Sequence, residues 1–128
     1  MEQKIIKLSL NDSVLTQKFY SFLGKPYSSD IEISLKNIPP QNTELGMSYE
    51  IIMFIFGAIG GKIVEYPSEK ALDWLWGKLK DYKQSLYPKT RENSKCVIEI
   101  DGNKLEISFN DDISKEEFKK ELLKLLQG

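Results

Sequence analysis

Residues 95–110 read KCVIEIDGNKLEISFN. Cys96, Ile98 and Ile100 recur at every second position, and Leu105, Ile107 and Phe109 do the same further on. A period of two puts each set on one side of a β-strand. Between them stands Asp101-Gly102-Asn103-Lys104. Asp-Gly and Gly-Asn both suit two-residue primed turns, which need positive φ. A Gly102-Asn103 loop pairs Ile100 with Leu105 and sets Glu99 opposite Glu106. An Asp101-Gly102 loop pairs Glu99 with Lys104 instead. Either register makes a hairpin with one apolar side, and that side needs a cover.

Amphipathic helices on both flanks supply one. Downstream, Ser114-Lys-Glu-Glu117 has the form of a capping box, and Phe118, Leu122, Leu125 and Leu126 follow at helical spacing. Upstream, Pro67 and Ser68 open a helix whose stripe is Leu72, Leu75, Leu79, Tyr82 and Leu86, at steps of three and four. Trp74 and Trp76 fall beside or opposite that stripe, and Pro88 closes the element.

Nearer the N-terminus, Lys4–Leu10 alternates with Ile6, Leu8 and Leu10 on one side, which predicts a strand. Asn11-Asp12-Ser13 offers helix-capping oxygens ahead of Leu15, Phe19, Phe22 and Leu23, and Gly24-Lys25-Pro26 is a stop signal. Asp30–Lys36 alternates again through Ile31, Ile33 and Leu35. Asn37–Gly46 is a Pro-rich connection without either period. Ser48 resembles an N-cap, and the run from Ile51 to Ile59 reads as a helix ending about Gly60. That helix is apolar all round but shorter than the roughly 20 residues a membrane span requires, so the expectation is a buried central helix.

The predicted order is β-α-β-α-α-β-β-α. It implies an α+β fold, residues 1–128 forming one compact domain. The simplest architecture is a four-stranded antiparallel or mixed sheet with helices on one face. At 128 residues, 41% hydrophobic and 29% charged, the chain can bury a core without a disulfide or a structural metal.

Eighteen basic residues against nineteen acidic ones give a net charge of −1. The lysines are interleaved with Asp and Glu, unlike the basic stripe of a nucleic-acid binder, so nucleic acid is not an expected partner. Arg91 is the lone arginine. The N-terminus, Met1-Glu-Gln-Lys-Ile-Ile6, has no signal-peptide h-region, and a cytoplasmic location is expected.

Catalytic motifs are scarce. The chain has no histidine and one cysteine, which removes Ser-His-Asp and Cys-His nucleophiles and makes a zinc site unexpected. Cys96, inside an alternating run, reads as a small core residue. Gly57-Ala-Ile-Gly-Gly61-Lys62 is similar to a phosphate loop, but Phe56 holds the first glycine position and Ile63 the hydroxyl position. Its plainer reading is close helix packing with a glycine cap. The acid pairs Asp111-Asp112 and Glu116-Glu117 flank a predicted helix start, where negative charge suits the helix dipole. No catalytic residue, cofactor or metal follows.

The surplus is aromatic: Tyr20, Tyr27, Tyr49, Tyr66, Trp74, Trp76, Tyr82 and Tyr87 exceed the needs of one small core. Tyr and Trp carry large contact area at low entropic cost. Trp74, Trp76, Tyr49 and Tyr66 are accordingly the expected protein-contact residues.

The succession of elements resembles the small bacterial effector-associated constant component domains. The matching features are the strand Asp30–Leu35, Pro39-Pro40 before Gly46-Met47, and the apolar run with Gly57, Gly60 and Gly61. Ala71-Leu-Asp-Trp74-Leu75, the hairpin Cys96–Ile107 and the Leu-rich last helix complete the set. The resemblance implies an adaptor that accompanies an effector, such as a peptidase, in conflict or antiviral defence systems, with no catalytic residues. The chain departs from it in being Lys-rich and in its long apolar run. Two other functions are compatible with the sequence: a small-ligand or nucleotide sensor at Gly57–Lys62, and a self-associating or membrane-surface module using the helix at 51–59, membrane attachment being the less expected.

Overall fold

Six apolar residues in a row, Ile51 to Phe56, form a strand and not the expected helix. The computed structural model describes residues 5–25, 31–38, 49–56, 58–59, 62–63 and 69–127. Strand β3 (Tyr49–Phe56) lies between β2 (Ile31–Ile38) and β1 (Ile5–Leu10), hydrogen-bonded to both. Its residues explain the choice. Three isoleucines and two phenylalanines suit a pleated surface, and eight residues is a strand's length, whereas a helix needs roughly ten or more. A strand with partners on both edges can also carry apolar residues on both sides.

β1 pairs on its other edge with β6 (Lys95–Ile100), and β6 pairs with β7 (Asn103–Ser108). Every neighbour is antiparallel, giving a five-stranded sheet in the order β2-β3-β1-β6-β7. The expected four strands become five because β3 takes the place of a helix. A separate ladder joins β4 (Ala58–Ile59) to β5 (Lys62–Ile63). Four helices complete the described elements: α1 (Ser13–Leu23), α2 (Glu69–Ser85), α3 (Pro88–Glu92) and α4 (Lys115–Gln127). β1-α1-β2-β3-α2-β6 with β3 inserted between β1 and β2 is a split β-α-β, ferredoxin-like connectivity, which β7 and α4 extend.

The hairpin register is the Asp101-Gly102 one: Ile100 faces Asn103 and Glu99 faces Lys104. Asp101 at φ 51° and Gly102 at φ 84° supply the two positive angles of a type I′ turn. Opposite charges meet across the strands, whereas the other register would have set Glu99 against Glu106.

Ile6, Leu8, Ile52, Phe54, Cys96, Ile98 and Ile100 occupy the inner face and are buried. The stripes of α1 (Phe19, Leu23), α2 (Leu72, Leu75, Leu79, Tyr82) and α4 (Phe118, Leu122, Leu126) join them in one core cluster. α1 is capped by Asp12, whose Oδ1 accepts from the Leu15 N–H at 2.7 Å. α4 is capped by Ser114, whose Oγ accepts from the Glu117 N–H at 3.1 Å. Pro88 does not close α2, which ends at Ser85; it opens α3 from the N1 position, where its missing N–H costs nothing. The outer face alternates differently. Lys7, Glu32, Lys36 and Glu106 are exposed there, while Ile5, Met53, Ile55 and Val97 are half-buried.

Asn37 and Ile38, expected at the start of the Pro-rich connection, extend β2 and pair with Glu50 and Tyr49; residues 39–46, Ser48, Pro67 and Ser68 lie outside the described residues.

Candidate functional site

α2 places its two tryptophans on different sides. Trp74 meets Phe54 of β3 edge-on, ring centroids 6.4 Å apart at 77°, so it packs against the sheet. Trp76, two positions on, turns about 200° around the helix axis and lines a cavity of about 310 Å³ beyond α2. The two tryptophans are therefore not brought together. Tyr49 is placed through its backbone alone, opposite Ile38 in the β2–β3 ladder; Tyr66 lies outside the described residues, as does Tyr27.

The cavity is built where five elements meet. α2 contributes Trp76, Leu79, Lys80 and Lys83; α3 contributes Arg91; β6 contributes Cys96, and the end of β7 with the residue after it contributes Ile107, Ser108 and Phe109. The turn before α4, with Asp111, Asp112 and Ile113, and Phe118 of α4 close it. Its deepest members are apolar, since Cys96, Phe109 and Phe118 are at most 2% exposed. Its rim is polar. Lys83 Nζ donates to the Asp111 carbonyl at 2.6 Å and to Asp112 Oδ1 at 3.1 Å, tying that turn to α2. Lys80 Nζ stands 5.1 Å from the Trp76 ring centroid, a cation–π distance. Arg91 Nη2 donates to the Leu86 carbonyl at 3.1 Å, bracing the α2–α3 bend, while its Nε is buried with no hydrogen-bond partner among the described residues.

Burial pushes the Cys96 thiol pKa far up, so at neutral pH it is an unreactive apolar group, as its place in the alternating run implied. Tyr82 is raised as well, first by burial and then by the Asp12 carboxylate; its hydroxyl donates to the Leu15 carbonyl at 3.1 Å and holds α2 to α1. Lys119 on α4 is raised by its hydrogen bond to Asp73, with partial loss to burial, and by the neighbouring charges of Asp73 and Glu69. These shifts belong to packing and helix pairing, not to a converging acid–base set. Among the described residues no group of His, Cys, Asp and Glu could hold a metal ion.

The acid pairs behave as end-of-helix charges: Asp112 pairs with Lys83, and Glu116 and Glu117 occupy the first turn of α4. Gly57, Gly60 and Gly61 lie outside the described residues, but their flanks pair as Ala58–Ile63 and Ile59–Lys62. An antiparallel ladder there excludes both the expected helix cap and the strand–loop–helix of a phosphate loop. The apolar helix that a membrane-surface or self-associating module would have used is the strand β3, and no helix of the described residues is long and apolar enough to cross a membrane.

Sequence reasoning missed most of the cavity. Its one visible signal was Arg91, the single arginine of a lysine-rich chain. The other members come from four separate segments and share no motif. The chain matches no protein-family model, no curated protein and no solved structure in the comparisons made with them.

Proposed function

We propose that this chain is a non-enzymatic protein-interaction module, an adaptor for an effector such as a peptidase in a bacterial conflict or defence system. The observation that carries the reading is the outer face of the sheet. Ile5 stands opposite Ile55 and Lys7 opposite Met53, so half-exposed apolar side chains sit side by side among Lys7, Glu32, Lys36 and Glu106. Half-exposed apolar side chains interspersed with charged ones offer both contact area and polar partners, as a non-obligate protein interface does. The surplus of aromatic residues supports the same reading, with Tyr87 at 83% exposure. The effector class rests on the family resemblance.

Co-purification of the tagged chain from its native host, read by quantitative mass spectrometry, tests it. One stoichiometric partner, lost in Met53→Lys or Ile55→Lys with thermal unfolding unchanged, is the expected result. Hydrolysis of a substrate by the pure chain, abolished by one cavity substitution, would overturn it.

A further inference from the structure

We propose that the cavity between α2, α3, β7 and the start of α4 is a binding site for an amphipathic carboxylate, an apolar or aromatic body ending in a planar anion. The inference goes beyond the adaptor reading and uses a different surface. At about 310 Å³ the cavity reaches the lower end of small-ligand pockets, roughly 300–1,000 Å³. Its floor, made by Cys96, Phe109 and Phe118, suits a ring or short alkyl chain, and Trp76 supplies one aromatic wall.

The choice of an anion comes from the state of the cations. Lys83 is already held by the Asp111 carbonyl and Asp112. Arg91 is not saturated: of its five N–H groups, one on Nη2 donates to the Leu86 carbonyl. A guanidinium is the best geometric match for a carboxylate, which accepts from two of its N–H groups at once, and Arg91 lines the cavity with only one Nη committed among the described residues, to the Leu86 carbonyl. Lys80, exposed at the rim, adds attraction from outside. The two aspartates oppose an anion, but Asp111 and Asp112 are both exposed and solvent-screened, and Asp112 is neutralised by Lys83.

The same chemistry is offered by a free aryl-alkyl acid and by the C-terminal carboxylate of a peptide ending in Phe. A Trp74→Phe chain leaves Trp76 as the sole indole and hence a fluorescence reporter on the cavity wall. It is titrated with 4-phenylbutyrate, with the neutral 4-phenylbutanol, and with a short Phe-terminated peptide as free acid and as amide. A saturable change in Trp76 emission is expected with the acids, weakened at least about tenfold for the alcohol and the amide and in Arg91→Gln. The tighter of the two acids identifies the source. Should Arg91→Gln fail to fold, Lys80→Glu on the exposed helix face reads the same charge dependence as a weakening. Absence of saturable binding by either acid, equal affinity for acid and neutral analogue, or indifference to both substitutions would overturn the proposal. None of these outcomes bears on outer-face binding of a protein partner.

Discussion

Thr16 is fully buried although it is polar, and its hydroxyl shows why. Oγ1 accepts from the Leu10 N–H at 3.1 Å and donates to the Asp12 carbonyl at 2.9 Å, so one side chain locks the end of β1 to the first turn of α1. Thr16→Val keeps the shape but leaves the Leu10 N–H without its acceptor, while the Asp12 carbonyl keeps the Thr16 N–H at 3.1 Å. It should cost about 1–3 kcal/mol in urea unfolding, more than a helix-surface substitution of the same type. Cys96 makes a prediction in pH. Its folded pKa is raised above the unfolded value, so its contribution is complete below about pH 8.5 and is lost as pH rises, because the unfolded chain releases the proton first. Between pH 9 and 10.5, Cys96→Ala should flatten the decline of stability by about 1.4 kcal/mol per pH unit, measured by urea unfolding at each pH. Cys96 was legible as a core residue from its alternating run. Thr16 was not, because a hydroxyl's partners are set by where two backbones cross.

At the scale of elements, glycine separates two kinds of position. Gly102 holds φ 84° in the hairpin turn, a region that a β-carbon strains, whereas Gly77 lies within α2 with open space where a β-carbon would stand. Gly77→Ala should stabilise by about 0.5–1 kcal/mol and Gly102→Ala should destabilise by roughly 1 kcal/mol or more, so thermal midpoints move in opposite directions. α1, α4 and the β6–β7 hairpin were readable because each carries one apolar side and an end signal, and α2 was readable from its stripe. β3 was not. A run that is apolar at every position has no period to distinguish a strand from a helix, and the isoleucines and phenylalanines were the better guide.

For the whole molecule, the two faces of β3 make separable predictions. Phe54 is 1% exposed on the inner face, within the cluster that also holds Ile6, Leu8 and the helix stripes. Phe54→Ala should cost about 3–5 kcal/mol by denaturant unfolding. Met53 and Ile55 point the other way, and Met53→Lys should leave the unfolding midpoint nearly unchanged while removing the protein partner. Similar costs for both positions would mean that the outer face is core, and the interface reading would fail. The cavity has a comparable logic, since Arg91 and Trp76 face a space that exists only once α3, β7 and α4 have met.

Charge, cysteine and histidine content, the helix stripes, both helix caps and the hairpin with its two candidate turns were determined by the sequence itself, because local propensity and periodicity act within a few residues. The choice of the Asp101-Gly102 register, the insertion of β3 between β1 and β2, the parting of Trp74 from Trp76 and the assembly of the cavity were decided by the tertiary structure. Each depends on which distant segment supplies the neighbouring surface, and no local pattern in the chain encodes that neighbour.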